Sequence, residues 1–254
     1  MKTFYFTATG NSLYVAKRIG GELCSIPQML KQGQTSFADD AIGFVFPCHA
    51  FGLPRLVADF IARSHFEADY FFGVMTYGGS AAAALQQLET VGRSAGITFK
   101  YTNDILMVDN FFPIFGAEKA LERDNTKIFE INLKQIVRDI QNRENKLKRK
   151  GKLTTAASQV TNRLVSTTLY AVGDRAFTVC DTCNGCGICA QVCPKGNIRF
   201  YGHPEFLHQC DCCLACIHHC PQKAIQLKFK KSSARFINPH VSLQEIIAAN
   251  NQEN

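Results

Sequence analysis

Ten of the chain's twelve cysteines fall between Cys180 and Cys220, and only Cys24 and Cys48 precede them. This crowding constrains the C-terminal part more than any other feature. A disulfide scaffold spreads its bridges to staple separate loops, and it belongs to secreted chains. The start of the chain does not read as an export signal. Its apolar stretch after Lys2 stops at Thr7-Ala8-Thr9-Gly10-Asn11, short of an apolar region of about 7–15 residues. No apolar run approaches the roughly 18 residues of a membrane span. A cytoplasmic setting is expected, where crowded thiols point to metal.

Ten of these thiols include two copies of one motif. Cys183-x-x-Cys186-x-x-Cys189-x-x-x-Cys193-Pro194 recurs twenty-seven residues later as Cys210-x-x-Cys213-x-x-Cys216-x-x-x-Cys220-Pro221. In bacterial iron–sulfur runs of this spacing, three thiolates wrap one loop around a cluster and the fourth reaches the neighbouring cluster. Two 4Fe–4S clusters are therefore expected. Cys183, Cys186, Cys189 and Cys220 would hold one, and Cys210, Cys213, Cys216 and Cys193 the other. Each proline fixes φ where the fourth ligand leaves its loop. Zinc also takes paired C-x-x-C ligands, but it calls for neither the third cysteine nor the Cys-Pro. A frame beginning at Cys180 would misplace the Cys-Pro relation. Cys180 and Cys212 read as bystander thiols, and His218 and His219 are surplus to a complete cysteine set. Lys195 directly follows Cys193-Pro194, and Lys223 comes one residue later after Cys220-Pro221-Gln222, where a cation raises a nearby cluster's potential slightly.

Upstream, short apolar runs alternate with helical periodicity. Strands are expected over 2–6, 41–46, 71–76 and within 97–108, with a weaker one near 24–26. Helices are expected over 12–23, 54–63, 81–94 and 117–150, the last with Ile128, Ile131, Val137 and Ile140 periodic. Such alternation means a five-stranded parallel sheet in a doubly wound α/β fold. Val160, Leu164, Val165, Leu169 and Val172 keep helical spacing, giving a helix that packs between domains. The expected division is 1–152 for the α/β domain, 153–176 for a helical linker, 177–232 for a small α+β cluster domain, and 233–254 for a tail. The formal charge of +7 does not argue for nucleic acid. The dense basic run at 146–152 reads as a solvated helix end, and ligating thiolates would offset part of the excess.

The loop Thr7-Ala8-Thr9-Gly10-Asn11-Ser12 follows a strand and opens a helix. Its hydroxyls and helix-start amides form a cradle for a phosphate dianion, although a plain cap at Asn11 or Ser12 accounts for two of the six residues. It is neither a dinucleotide glycine fingerprint nor a P-loop. The loops 46–54 and 76–80 emerge at the same sheet edge, where doubly wound folds bind ligands. They bring aromatics to cover a flat ring and glycines that let backbone approach it.

Residues 7–12 match the phosphate-binding loop of flavodoxins. The whole chain resembles fusion proteins that join a flavodoxin-like domain to a bacterial ferredoxin with two clusters. Residues 46–54, Tyr77–Gly79 and Asp109-Asn110-Phe111-Phe112 resemble that family's loops with less specificity. The resemblance implies FMN, with Thr7, Thr9, Gly10, Asn11 and Ser12 at its phosphate and His49, Phe51, Tyr77, Gly78 and Gly79 near its ring. With no tryptophan in the chain, ring stacking falls to His49, Phe51 or Tyr77. Ser12 stands where flavodoxins commonly have threonine, and the chain is basic where flavodoxins are typically acidic.

The expected function is electron transfer: FMN exchanges one or two electrons and each cluster one, between protein redox partners and in a low-oxygen setting. The alternative is a flavin-dependent reductase of a small substrate, fed by its own clusters. No NAD(P) fingerprint or acid–base pair marks such a substrate site. A zinc-stabilised binding module is the third reading.

Overall fold

The computed structural model describes residues 1–111, 126–149, 151–229 and 232–252. Phe112 and the first part of the helix expected over 117–150 lie outside them. The N-terminal part runs β1 (Lys2–Tyr5), α1 (Asn11–Ile19), β2 (Glu22–Ser25), α2 (Ile26–Lys31), β3 (Ser36–Ala38) and β4 (Ala41–Pro47). It continues with α3 (Arg55–Arg63), β5 (His65–Glu67), β6 (Tyr70–Tyr77), α4 (Ala84–Ser94), β7 (Phe99–Leu106), α5 (Thr126–Gln141) and β8 (Lys146–Leu147). Six strands form one parallel sheet in the order β2-β1-β4-β6-β7-β8.

Strand periodicity of two sorts the apolar side chains onto both faces of this sheet. In β4, Ile42, Phe44 and Phe46 face a core shared with Leu56, Val57 and Phe60 of α3 and with Leu85 and Leu88 of α4. Ala41 and Val45 face the opposite core, with Leu13, Val15, Ala16 and Ile19 of α1 and Leu133, Ile136 and Ile140 of α5. The short pair β3–β5 brings Phe37 and Phe66 against Phe4, Phe44 and Phe60.

Several sequence expectations shift here. The sheet has six strands rather than five. The sixth, β8, lies inside the basic run that read as a helix end, and it pairs with Tyr101 and Thr102. A two-residue edge strand flanked by lysines keeps an exposed edge from pairing further; Lys148 donates to Asp104 at 2.7 Å. Helix α1 stops at Ile19 rather than 23, because Gly20 and Gly21 take positive φ. In α5 the expected apolar face is partly outward: Ile128 and Ile131 are 61% and 66% exposed, and Leu133 and Ile136 are buried instead.

Helix α6 (Lys152–Val172) covers the expected linker. Its Val160 and Leu164, expected to pack, are 61% and 65% exposed. The contacts come instead from Asn162, which donates to the Ala50 carbonyl at 2.8 Å, and from Tyr170.

Beyond a 3₁₀ turn at Gly173–Ala176, the 27-residue sequence repeat becomes a structural one. The first copy is β9 (Phe177–Val179), α7 (Ile188–Gln191) and β10 (Ile198–Phe200). The second is β11 (Pro204–Phe206), α8 (Ala215–His218) and β12 (Ile225–Leu227). Strand β10 pairs antiparallel with β11, and β12 pairs back to β9. The residues after 232 end in α9 (Leu243–Asn250), whose capping box joins Ser242 and Glu245. This helix packs near α2, and Val241, Ile246 and Ala249 enter the α1-side core. No helix among the described residues is long and apolar enough to cross a membrane.

Candidate functional site

The eight motif cysteines line two cavities. Cys193, Cys210, Cys213 and Cys216 surround one, with Phe177, Ile198 and Phe206. Cys183, Cys186, Cys189 and Cys220 surround the other, with Phe200, Pro204 and Ile225. Each cavity thus takes three cysteines from one motif and the fourth from the other. Among the described residues, no three His, Cys, Asp or Glu close around a single ion. The cysteines line these two cavities four by four, the number of thiolates that holds a 4Fe–4S core.

The two loops share their backbone shape as well as their spacing. Gly185, Gly187 and Gly196 have φ of 70°, 72° and 58°, and their partners twenty-seven residues on, Cys212, Leu214 and Lys223, have φ of 51°, 63° and 51°. The first copy meets this left-handed demand with glycine, which has no Cβ to clash. The second accepts the strain, which explains Cys212: it occupies a turn position rather than a ligand position. Its Sγ lies 3.4 Å from the Leu169 carbonyl. Cys180 has Leu207 as its repeat partner and falls outside both cavities' linings. Sulfur-directed amides repeat too. Asn197 donates to Cys193 Sγ at 3.3 Å and Ala224 to Cys220 Sγ at 3.2 Å.

Without a cation the thiols resist ionisation. Burial pushes Cys189 up to about 12 and Cys193 up to about 11. Burial, and after it the repulsion of neighbouring thiolates, also holds Cys213 and Cys216 well above the usual thiol range. Thiols raised in this way, in both cavities, suit a positively charged iron core, which reverses that penalty and binds the thiolate form.

The second region lies at the C-terminal edge of the sheet. Thr7 Oγ1 accepts from the Gly10 amide at 3.1 Å, and Ser12 and Thr76 hydroxyls meet at 2.9 Å. Asn110 Nδ2 donates to Thr9 Oγ1 at 3.3 Å. No side chain caps α1, whose first residues Asn11, Ser12 and Leu13 are all buried. A buried helix start with uncapped amides suits an anion, so the donor set fits the phosphate end of a flavin.

The ring residues are arranged less directly. Ala50 and Phe51 form a tight turn at positive φ, closed by paired His49–Gly52 hydrogen bonds of 2.9 and 2.8 Å. His49 does not stand free beside it. Its Nδ1 meets Tyr170 Oη and its Nε2 meets the Cys212 carbonyl, both at 3.2 Å. The Tyr77 carbonyl accepts from Met107, 2.8 Å away. Gly78 abuts Asp109 so closely that a Cβ would lie 2.3 Å from its Cα, whereas one on Gly79 would have room. The four edge loops do converge, and the cluster part covers them.

Sequence reasoning missed the residues that make this junction. Asp211 pairs with Arg55, whose guanidinium lies 4.5 Å from the Tyr170 ring centre. His219 donates through Nε2 to the Ala8 carbonyl at 3.0 Å, and His218 Nε2 meets the Asn110 carbonyl at 2.6 Å. Two adjacent histidines beside a complete ligand set were the available signal. Asn238 and Asn250 carried none, since no local pattern marks a residue that acts across more than two hundred positions.

Comparison with known proteins bears on the cysteine region. A family described as "4Fe-4S binding domain" matches residues 181–199, the stretch holding Cys183, Cys186, Cys189 and Cys193. A domain of this kind suggests iron–sulfur electron transfer and implies electron-transfer partners. A search of curated proteins gave no match. Among solved structures, that of the Trp repressor binding protein from Bacillus subtilis is similar at 14% identity. The match covers 59% of this chain and 99% of that one, with a TM-score of 0.33; likeness at that level carries no argument.

Proposed function

We propose that this chain is an electron carrier, with FMN at the sheet edge and two 4Fe–4S clusters in the cysteine-lined cavities, serving protein redox partners. The observation that carries the proposal is the crossed lining of the cavities, each with four cysteines drawn from both motifs. Bound FMN would supply exchange of one or two electrons, and each cluster exchange of one. Thr7, Thr9, Gly10 and Ser12, with the amides at the start of α1, would hold the flavin phosphate, and Asn11 would shape the loop. Phe51, Tyr77, Gly78 and Gly79 would border the ring. His49, held between Tyr170 and the Cys212 carbonyl, would join the flavin edge to the Cys210–Cys213 loop.

In this reading residues 1–152 form the flavin domain, 153–176 the connecting helix and 177–232 the cluster domain. The test is purification without oxygen, followed by iron, sulfide and released-flavin assays. About eight irons and one FMN per chain support the proposal. Full iron without flavin would leave the N-terminal part a scaffold and the protein a ferredoxin that docks on another flavoprotein. About four irons would refute the two-cluster assignment.

A further inference from the structure

The loop 7–12 is gripped from outside its own domain. Three successive carbonyls, those of Thr7, Ala8 and Thr9, accept from the C-terminal half. Asn250 Nδ2 reaches Thr7 at 3.0 Å, His219 Nε2 reaches Ala8 at 3.0 Å, and the Asn238 amide reaches Thr9 at 2.8 Å. The side chain of Asn11 is held at both ends: its Nδ2 donates to the Val108 carbonyl at 2.9 Å, and its Oδ1 accepts from Asn238 Nδ2 at 3.0 Å. Gly10 leaves room for this grip, since a Cβ there would stand 2.9 Å from Asn238 Cβ and 3.0 Å from Val241 Cβ.

A trans peptide points its N–H opposite its C=O. Fixing the carbonyls of Thr7, Ala8 and Thr9 toward the C-terminal half therefore turns the amides of Ala8 and Thr9 to the other side, while the Gly10 amide is taken up within the loop by Thr7 Oγ1. Successive amides held on one side form an anion nest. Asn11, with both ends of its amide engaged inside the protein, shapes this nest rather than touching its occupant.

We infer that the segment 232–252 is an integral part of the phosphate site, and that Asn238 and Asn250 are positioning residues that preset loop 7–12 for the flavin phosphate. This rests on the FMN reading above. The segment read as a tail in the sequence thereby makes flavin binding depend on the far end of the chain. A preset loop spares the ligand the cost of ordering it.

The test uses full-length protein purified with its clusters. Asn250→Leu keeps the branched shape of the side chain and removes the donor to Thr7, and it also removes an Oδ1 that is buried without a partner. Asn238→Ser removes the grip on Asn11. Two readouts are taken: FMN dissociation constant by flavin fluorescence, and hydrogen exchange of the 7–12 amides in flavin-free protein. We expect each variant to bind FMN about tenfold more weakly, the scale of one lost hydrogen bond. The loop amides should exchange faster, while iron content and the cluster spectrum stay unchanged. Unchanged affinity and unchanged exchange in both variants would overturn the inference. Should Asn250→Leu fail to retain iron, Asn238→Ser decides. If the parent protein binds no FMN, the flavin reading falls, and exchange in the loop still decides whether the segment presets it.

Discussion

Crossing of the fourth cysteine can be tested by pairs of substitutions whose iron contents do not add. Each cavity has four cysteines, so one Cys→Ala change removes one of four ligands and should cost one cluster, taking iron from about eight to about four per chain. Cys183 and Cys220 line the same cavity although thirty-seven residues separate them. Cys183 and Cys193 line different cavities although they share a motif. The double variant Cys183→Ala/Cys220→Ala should thus hold about four irons, no fewer than either single variant. Cys183→Ala/Cys193→Ala should hold almost none. This is the logic of coupled and independent sites applied to metal content. The assay is iron and acid-labile sulfide per chain after anaerobic purification, with electron paramagnetic resonance of the dithionite-reduced protein to count clusters. If Cys183→Ala/Cys193→Ala keeps four irons while Cys183→Ala/Cys220→Ala loses all, each motif holds its own cluster and the crossed geometry is refuted.

Lys223→Gly should relieve a left-handed backbone worth roughly 1–2 kcal/mol, offset in part by the freedom glycine adds to the unfolded chain; slower cluster bleaching in urea is expected. Its counterpart Gly196→Ala should bleach faster, because alanine at φ 58° is strained and its Cβ would meet Gln252 Cβ at 3.1 Å. Cys180→Ser and Cys212→Gly should both retain full iron, the second because it copies Gly185; a fall to half the iron in either would make that thiol a ligand. Burial holds His49 below the usual imidazole range, with Arg55 adding to the shift and Asp211 and its bond to the Cys212 carbonyl opposing it. The unfolded chain then binds the proton more readily. The contribution of His49 is therefore full above about pH 6.5 and falls as pH drops below that value. His49→Gln should flatten this acid limb in urea titrations between pH 7 and 5, and an unaltered limb would assign it to another group.

What the sequence made legible was local. Cysteine spacing points to the sulfur arrangement because three ligands sit on one loop and the fourth one helical turn later. Strands β4 and β6 announce themselves because both faces are buried, leaving continuous apolar runs such as Ala41–Pro47. Strand β8 escaped because two edge residues among lysines have no periodicity to show. The inward face of α5 was misjudged because Ile128 and Ile131 fit a helical repeat as well as Leu133 and Ile136 do, and only tertiary packing chooses between them. At the sheet edge, loop 7–12 was visible as a strand–turn–helix junction. His49 read as a ring neighbour, and its engagement with Tyr170 and Cys212 depends on a helix and a loop more than a hundred residues away.

The pairing of β12 with β9 has a consequence for how the chain is made. Its first strand meets its last, so the cysteine-rich region begins and ends at nearly one place. The chain then goes on to rejoin the α/β part through α9, where Ser25 Oγ donates to the Ala249 carbonyl. The iron–sulfur region thus lies between two stretches of chain, 1–111 and 232–252, that pack into the same core. A ribosome would have to release the chain through residue 250 before that core gained α9. The cysteine region would by then already be outside the exit tunnel and able to take up iron, so cluster assembly would precede closure of the sheet edge around the phosphate loop.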